Sequence, residues 1–213
     1  MVKQEYVQTR KEELINSISH GAGALLAIIG AAPLIMHGIQ AGSAKIIFSM
    51  AAYVLSLVLL YTASASYHAV KRSTVKRILQ VLDHCTIFVL ILGTYIPFSL
   101  VIMGGAVGLT VCLTNTVLAV IGITLNVIDM KRFEKYSMIL YILMGWLAIA
   151  VVPAIFKAMP LSGLILLIAG GVAYTAGIVF FKTEKSYMHV TWHFFVLAGS
   201  VLQYFSILVY LKA

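Results

Sequence analysis

The strongest constraint on this chain is the length and spacing of its apolar runs. Seven segments, at 17–39, 45–69, 79–103, 107–128, 136–157, 162–181 and 190–211, are each roughly 20–25 residues long. A helix of that length crosses a ~30 Å hydrocarbon core with some tilt. The connections between them are short, so sequential helices are expected to be antiparallel neighbours, and no room remains for a separate soluble domain. The expected fold is all-α and polytopic: one seven-transmembrane-helix bundle spanning 1–213, with a short cytoplasmic N-terminal segment at 1–16.

Composition agrees. Hydrophobic residues make up 62% of the chain and charged residues 10%, against roughly 25% charged in a soluble domain; the mean hydropathy is +1.02. Lysine and arginine are unevenly distributed among the connections. Lys3, Arg10, Lys11, Lys71, Arg72, Lys76, Arg77, Lys131, Arg132, Lys135, Lys182 and Lys185 fall on one side, and Lys45, Lys157 and Lys212 on the other, a twelve-to-three split. Positive residues mark the cytoplasmic side, so the N-terminus is expected inside, the C-terminus outside, and the number of crossings odd. The net charge of +8 then reflects topology and anionic lipid headgroups, and no nucleic-acid partner is expected. No cleavable signal peptide is expected, because the first apolar run follows a polar start and is too long. Cys85 and Cys112 fall toward opposite membrane faces, so no disulfide is expected.

Pro33, Pro97 and Pro153 lie inside expected helices and should kink them, since each frees a backbone carbonyl. Gly21, Gly23, Gly30, Gly170, Gly171 and Gly177 are placed to let helices approach closely.

Ionisable groups inside a membrane are costly and mark function. His20, His68, Asp83, His84, His189 and His193 all fall near the same bilayer face, and Asp83 is the only acid within the expected spans. His189 and His193 are i, i+4, so one helix face carries both imidazoles about a turn apart, a spacing that lets two nitrogens bind one metal. His68 lies at the same depth, one turn from Ser64 on the same face. Three histidines and a carboxylate at one depth point to a metal ion, zinc first. The plainer readings are an interfacial Asp83 paired with a loop cation and interfacial histidines flanking Trp192. On the first helix, Glu13, Asn16 and His20 share a face. His20 is a candidate fourth ligand, or joins Asn16 in hydrogen-bonding the ligands or the start of the last helix. His84 points about 100° away from Asp83, and His37 lies roughly 25–30 Å off.

Taken together, the Glu13…Asn16…His20 segment, Ser64-x-x-x-His68, Asp83 and His189-x-x-x-His193 resemble the progestin and adipoQ receptor (PAQR) superfamily, and the short chain resembles its bacterial hemolysin III branch. The resemblance covers essentially the whole chain. It implies a seven-helix fold in a bacterial plasma membrane, with Zn2+ near the cytoplasmic face, held by His68, His189 and His193. Asp83 would contact the zinc directly or through water, with Ser64 close by. It also implies ceramide hydrolysis in animal members, and haemolysis or membrane homeostasis in bacterial ones.

Three histidines with an open position suit a catalytic zinc, with Asp83 as proton acceptor and Ser64 as hydrogen-bond donor. The leading expectation is a zinc-dependent hydrolase of lipid amides or esters, with membrane lipids as partners. The alternative is a non-catalytic, zinc-stabilised regulator of membrane state. A pore-forming cytolysin and a proton pathway fit the pattern less well.

Overall fold

In the computed structural model, residues 7–71 and 73–212 are described; Lys3 and Arg72, counted in the charge asymmetry, lie outside them. The architecture is all-helical, with no strand among the described residues. Helix α1 spans Arg10–Gln40, α2 Ala44–Ala69, α3 Thr74–Ile96, α4 Gly105–Trp146, α5 Val152–Ala158, α6 Leu161–Phe181 and α7 Met188–Lys212. Short polar caps start the first three. Thr9, Ser43 and Ser73 each accept a hydrogen bond from the backbone N–H three residues on, satisfying donors that a helix start leaves open. The Thr9 cap begins α1 well before the first apolar run, so residues 10–16 are helical and do not form a separate segment.

The prolines act differently from one another. Pro33 sits inside an unbroken α1. Pro97 ends α3 and opens a π-helical stretch, Pro97–Met103, which Gly104 and Gly105 terminate with φ of +60° and +56°, values that favour glycine. Pro153 falls in the first turn of α5, where its missing N–H costs nothing.

Helix α4 has 42 residues but is not straight: Asp129 leaves helical geometry at φ −162°, ψ 92°. The Ser137 hydroxyl donates to Asn126 Oδ1 at 2.7 Å across eleven positions, which a straight helix would separate by about 16 Å. Ala119 and Met144 share one buried cluster with Phe88, although a straight helix would hold them some ~37 Å apart. The chain therefore doubles back at Asp129, inside the charged connection expected from the sequence, and both arms pack on α3. Tyr95 fastens the end of the second arm, donating to the Gly145 carbonyl at 2.9 Å and accepting from the Ala148 N–H at 2.8 Å.

Six helical stretches among the described residues are long and apolar enough to cross a membrane, the fourth running Gly105–Val151 over 47 residues. Leucines, isoleucines and valines such as Leu25, Ile29, Leu55 and Val127 cover the outer surface, as expected of a chain solvated by lipid. Polar side chains turn inward instead. Ser200 on α7 accepts hydrogen bonds from Tyr61 on α2 at 2.6 Å and pairs with Tyr174 on α6 at 2.8 Å, while Tyr53 donates to its carbonyl. Such bonds average about 0.6 kcal/mol each in a membrane, so this one serine knits three helices.

Four of the six glycines singled out sit against neighbours: Gly23 on Tyr61 and Leu197, Gly30 on Tyr204, Gly170 on Gln203, Gly177 on Trp192 and Phe195. Gly21 and Gly171 face open space, a correction to the expectation. Both thiols, Cys85 and Cys112, are free.

Candidate metal centre

Four helix ends meet at one pole of the bundle. His68 is in the last turn of α2, Glu13 in the first turn of α1, Asp83 in the third turn of α3, and His189 and His193 in the first turns of α7. Helices α1 and α2 pack along each other, and α1 also packs on α7, which brings the first turns of α1 and α7 to one place. His68, His189 and His193 each offer one ligand atom, all within 4.8 Å of one another. Their ring centroids are 4.9–5.2 Å apart. His68 Nε2, His189 Nε2 and His193 Nδ1 are buried with no hydrogen-bond partner. A single such orphan costs about 1–3 kcal/mol, so three facing one another form a set that a metal ion would satisfy.

A charged relay orients His68. Its Nδ1 is 2.7 Å from Glu13 Oε2, and the other oxygen of Glu13 accepts from Lys76 Nζ at 2.7 Å. Lys76 also donates to the Val70 carbonyl and lies 4.7 Å over the Tyr67 ring. A carboxylate on the far ring nitrogen is the usual companion of a metal-binding histidine, because it fixes the tautomer and frees the other nitrogen.

Asp83 lines the same cavity as His189 and His193, outside the group of three histidines whose ring nitrogens all lie within 4.8 Å of one another. Its buried carboxylate lies beside the buried Ser64 hydroxyl of α2. His20 is outside the set as well: its ring stacks on His193 at 3.6 Å and meets Tyr61 edge-on at 5.0 Å. Asn16 donates to Gln8 at 2.7 Å, and its main chain faces the His193 ring. His84 points its Nδ1 at the Gln80 carbonyl, and His37 lines a hollow remote from the cluster, beside Tyr210 and Pro160.

Sequence reasoning missed Glu12. The buried face of α1 runs Glu12, Asn16, His20, Gly23, Ala27, with Glu13 on its flank. Thr9 and Glu12 form a capping box, and the Thr-x-x-Glu spacing before an apolar run was the readable signal.

A cavity of about 280 Å³ opens from the cluster. Asp83, Ser64 and His189 stand at its polar end, and apolar side chains of α3, the second arm of α4, α6 and α7 form its walls. From Asp83 to Tyr95 along α3 it runs about 18 Å. Trp146, Ile168 and Val172 line the cavity and are also exposed on the outer surface, so it opens sideways between α4 and α6.

Fold and site together define a multi-span, all-helical membrane protein with a largely buried three-histidine cluster able to take a metal ion. A family profile described as "Haemolysin-III related" matches residues 8–204. The chain belongs to that family, the hemolysin III branch of the PAQR superfamily. It is 38% identical to "Hemolysin-3" of Bacillus cereus, over 94% of this chain and 92% of the relative. It is also 38% identical to "Hemolysin-3 homolog" of Bacillus subtilis (strain 168), over 95% of both. The human "Monocyte to macrophage differentiation factor" is 25% identical over 97% of this chain and 87% of its own length.

Proposed function

We propose that the three histidines hold zinc and that this protein is a zinc-dependent hydrolase of lipid amides or esters, resembling a ceramidase and acting in membrane lipid homeostasis. One observation carries the reading: three unpartnered imidazole nitrogens lie beside the Ser64–Asp83 pair at the polar end of an apolar cavity. His68, His189 and His193 would hold the ion, a ligand set of the kind found in catalytic zinc sites. When bound, zinc supplies Lewis-acid polarisation of a carbonyl and activation of water at neutral pH. Asp83 accepts the proton released by the attacking water at its carboxylate and returns it to the leaving amine or alkoxide. Ser64 steers that carboxylate and donates to the substrate oxygen. The cavity receives the acyl chain from the bilayer through its lateral opening and keeps bulk water away.

In this reading the two arms of α4 cross the membrane separately, making seven crossings, with the N-terminus and the metal centre on the cytoplasmic side of the plasma membrane. The reversal at Asp129 and the twelve-to-three charge split support it.

The closing of helices α1, α2 and α7 on one point also favours a second reading, a zinc clamp that stabilises a non-catalytic regulator of membrane state. Metal analysis of the purified protein, followed by ceramide turnover in detergent and in liposomes, tests both. Near-stoichiometric zinc with turnover supports the hydrolase. Zinc without turnover of amides or esters leaves the clamp, and absence of metal in careful preparations overturns both.

A further inference from the structure

Two acids are buried among the described residues, Asp83 and Glu12, and the chemistry above uses only Asp83. Glu12 divides its oxygens between the ends of two helices 175 positions apart. Oε2 accepts from the Thr9 N–H at 2.8 Å and the Thr9 hydroxyl at 2.7 Å, while Oε1 accepts from the Tyr187 N–H at 2.5 Å.

Tyr187 immediately precedes α7. Its carbonyl accepts from the Thr191 N–H at 3.0 Å, so it is the first link in that helix's hydrogen-bond ladder. Its φ is +60°, a left-handed conformation that a bulky residue adopts only when its surroundings enforce it. Tyrosine also lacks the short side-chain oxygen with which Ser, Thr, Asn or Asp caps a helix. His189 sits in the turn that follows, and first turns fray unless their donors are held.

We propose that Glu12 is a positioning residue of the metal centre: by holding the Tyr187 N–H it fixes the first turn of α7, and with it the His189 imidazole, against His68 and His193. The inference rests on the metal-binding reading above. Without the link, His68 and His193 remain in place and His189 must be ordered by the ion itself.

The test uses the full-length protein in detergent and Co2+ as the probe. Its visible absorption bands report coordination geometry, and competition with a chromophoric chelator gives affinity. Glu12→Ala is expected to lower Co2+ affinity at least about tenfold and to alter the bands. Glu12→Gln keeps an acceptor oxygen for the Tyr187 N–H and is expected to retain the wild-type bands. Thr9→Ala removes the α1 cap while leaving the link, and is expected to keep both bands and affinity. Wild-type bands and affinity in Glu12→Ala, even with a lower melting temperature, overturn the proposal, as does an equal loss in Thr9→Ala. If Glu12→Ala fails to fold, Glu12→Asp decides, since it keeps the charge but shortens the reach: lowered affinity supports the proposal and wild-type affinity overturns it. Metal uptake by the wild type with no effect of Glu12 overturns this proposal alone, whereas no uptake by the wild type overturns the metal-binding reading with it.

Discussion

His68 Nδ1 and Glu13 Oε2 are 2.7 Å apart, and the same carboxylate reaches Lys76 with its other oxygen. The carboxylate thus decides which imidazole nitrogen faces the histidine cluster. Glu13→Gln is expected to weaken metal affinity about 10- to 100-fold, or about 1.4–2.8 kcal/mol, as read by chelator competition. Lys76→Met should have a smaller effect, because the lysine touches the ring only through Glu13.

The ligand set separates the histidines sharply. His68→Ala, His189→Ala and His193→Ala are each expected to lose stoichiometric metal by elemental analysis. His20→Phe keeps the stack on His193 without a ring nitrogen and should retain the metal. Loss of metal from His20→Phe would make His20 a ligand and contradict the three-membered set.

Ser64 and Asp83 are predicted to matter for chemistry and not for metal content. Asp83→Asn and Ser64→Ala should each reduce lipid-amide turnover by about 10²–10⁴-fold, with bound zinc unchanged. Loss of zinc from Asp83→Asn would place that carboxylate among the ligands.

Phe88 is fully buried between the two arms of α4 and lies 4.3 Å from the Tyr141 ring. A β-carbon at Gly122 would collide with its ring. Phe88→Ala is expected to cost about 3–5 kcal/mol, and Gly122→Leu to be at least as damaging; thermal melts in detergent check both. Cysteines placed at Lys135 and Lys157 should react with a membrane-impermeant reagent from opposite sides of the bilayer. Reaction from the same side would mean that the second arm does not cross.

Much of this was legible in the sequence, for physical reasons that differ from residue to residue. Long apolar runs have few alternatives to helices in lipid, so the helical class could be read directly. The reversal inside α4 was signalled by the charges from Asp129 to Lys135. Its form, a reversal made by the single non-helical residue Asp129, was not, because no proline or glycine marks it. The i, i+4 spacing of His189 and His193 follows from helix geometry, whereas Asp83's place beside the ligand set depends on how α3 leans against Ser64. Glu12 and Glu13 are adjacent and about 100° apart on α1, so only tertiary packing decides which one is buried. The cavity is built from helices distant in sequence and leaves no local pattern.

The bond from Glu12 to Tyr187 also has a consequence in time. A ribosome adds about 5–20 residues per second, so the first turn of α1 waits roughly ten to thirty-five seconds for its second partner to exist. Until then the Glu12 carboxylate lacks its Tyr187 partner, and the pole that gathers the histidines is missing α7. The centre thus cannot form before the last helix begins, and a chain truncated before residue 187 would have every helix up to α6 yet no site.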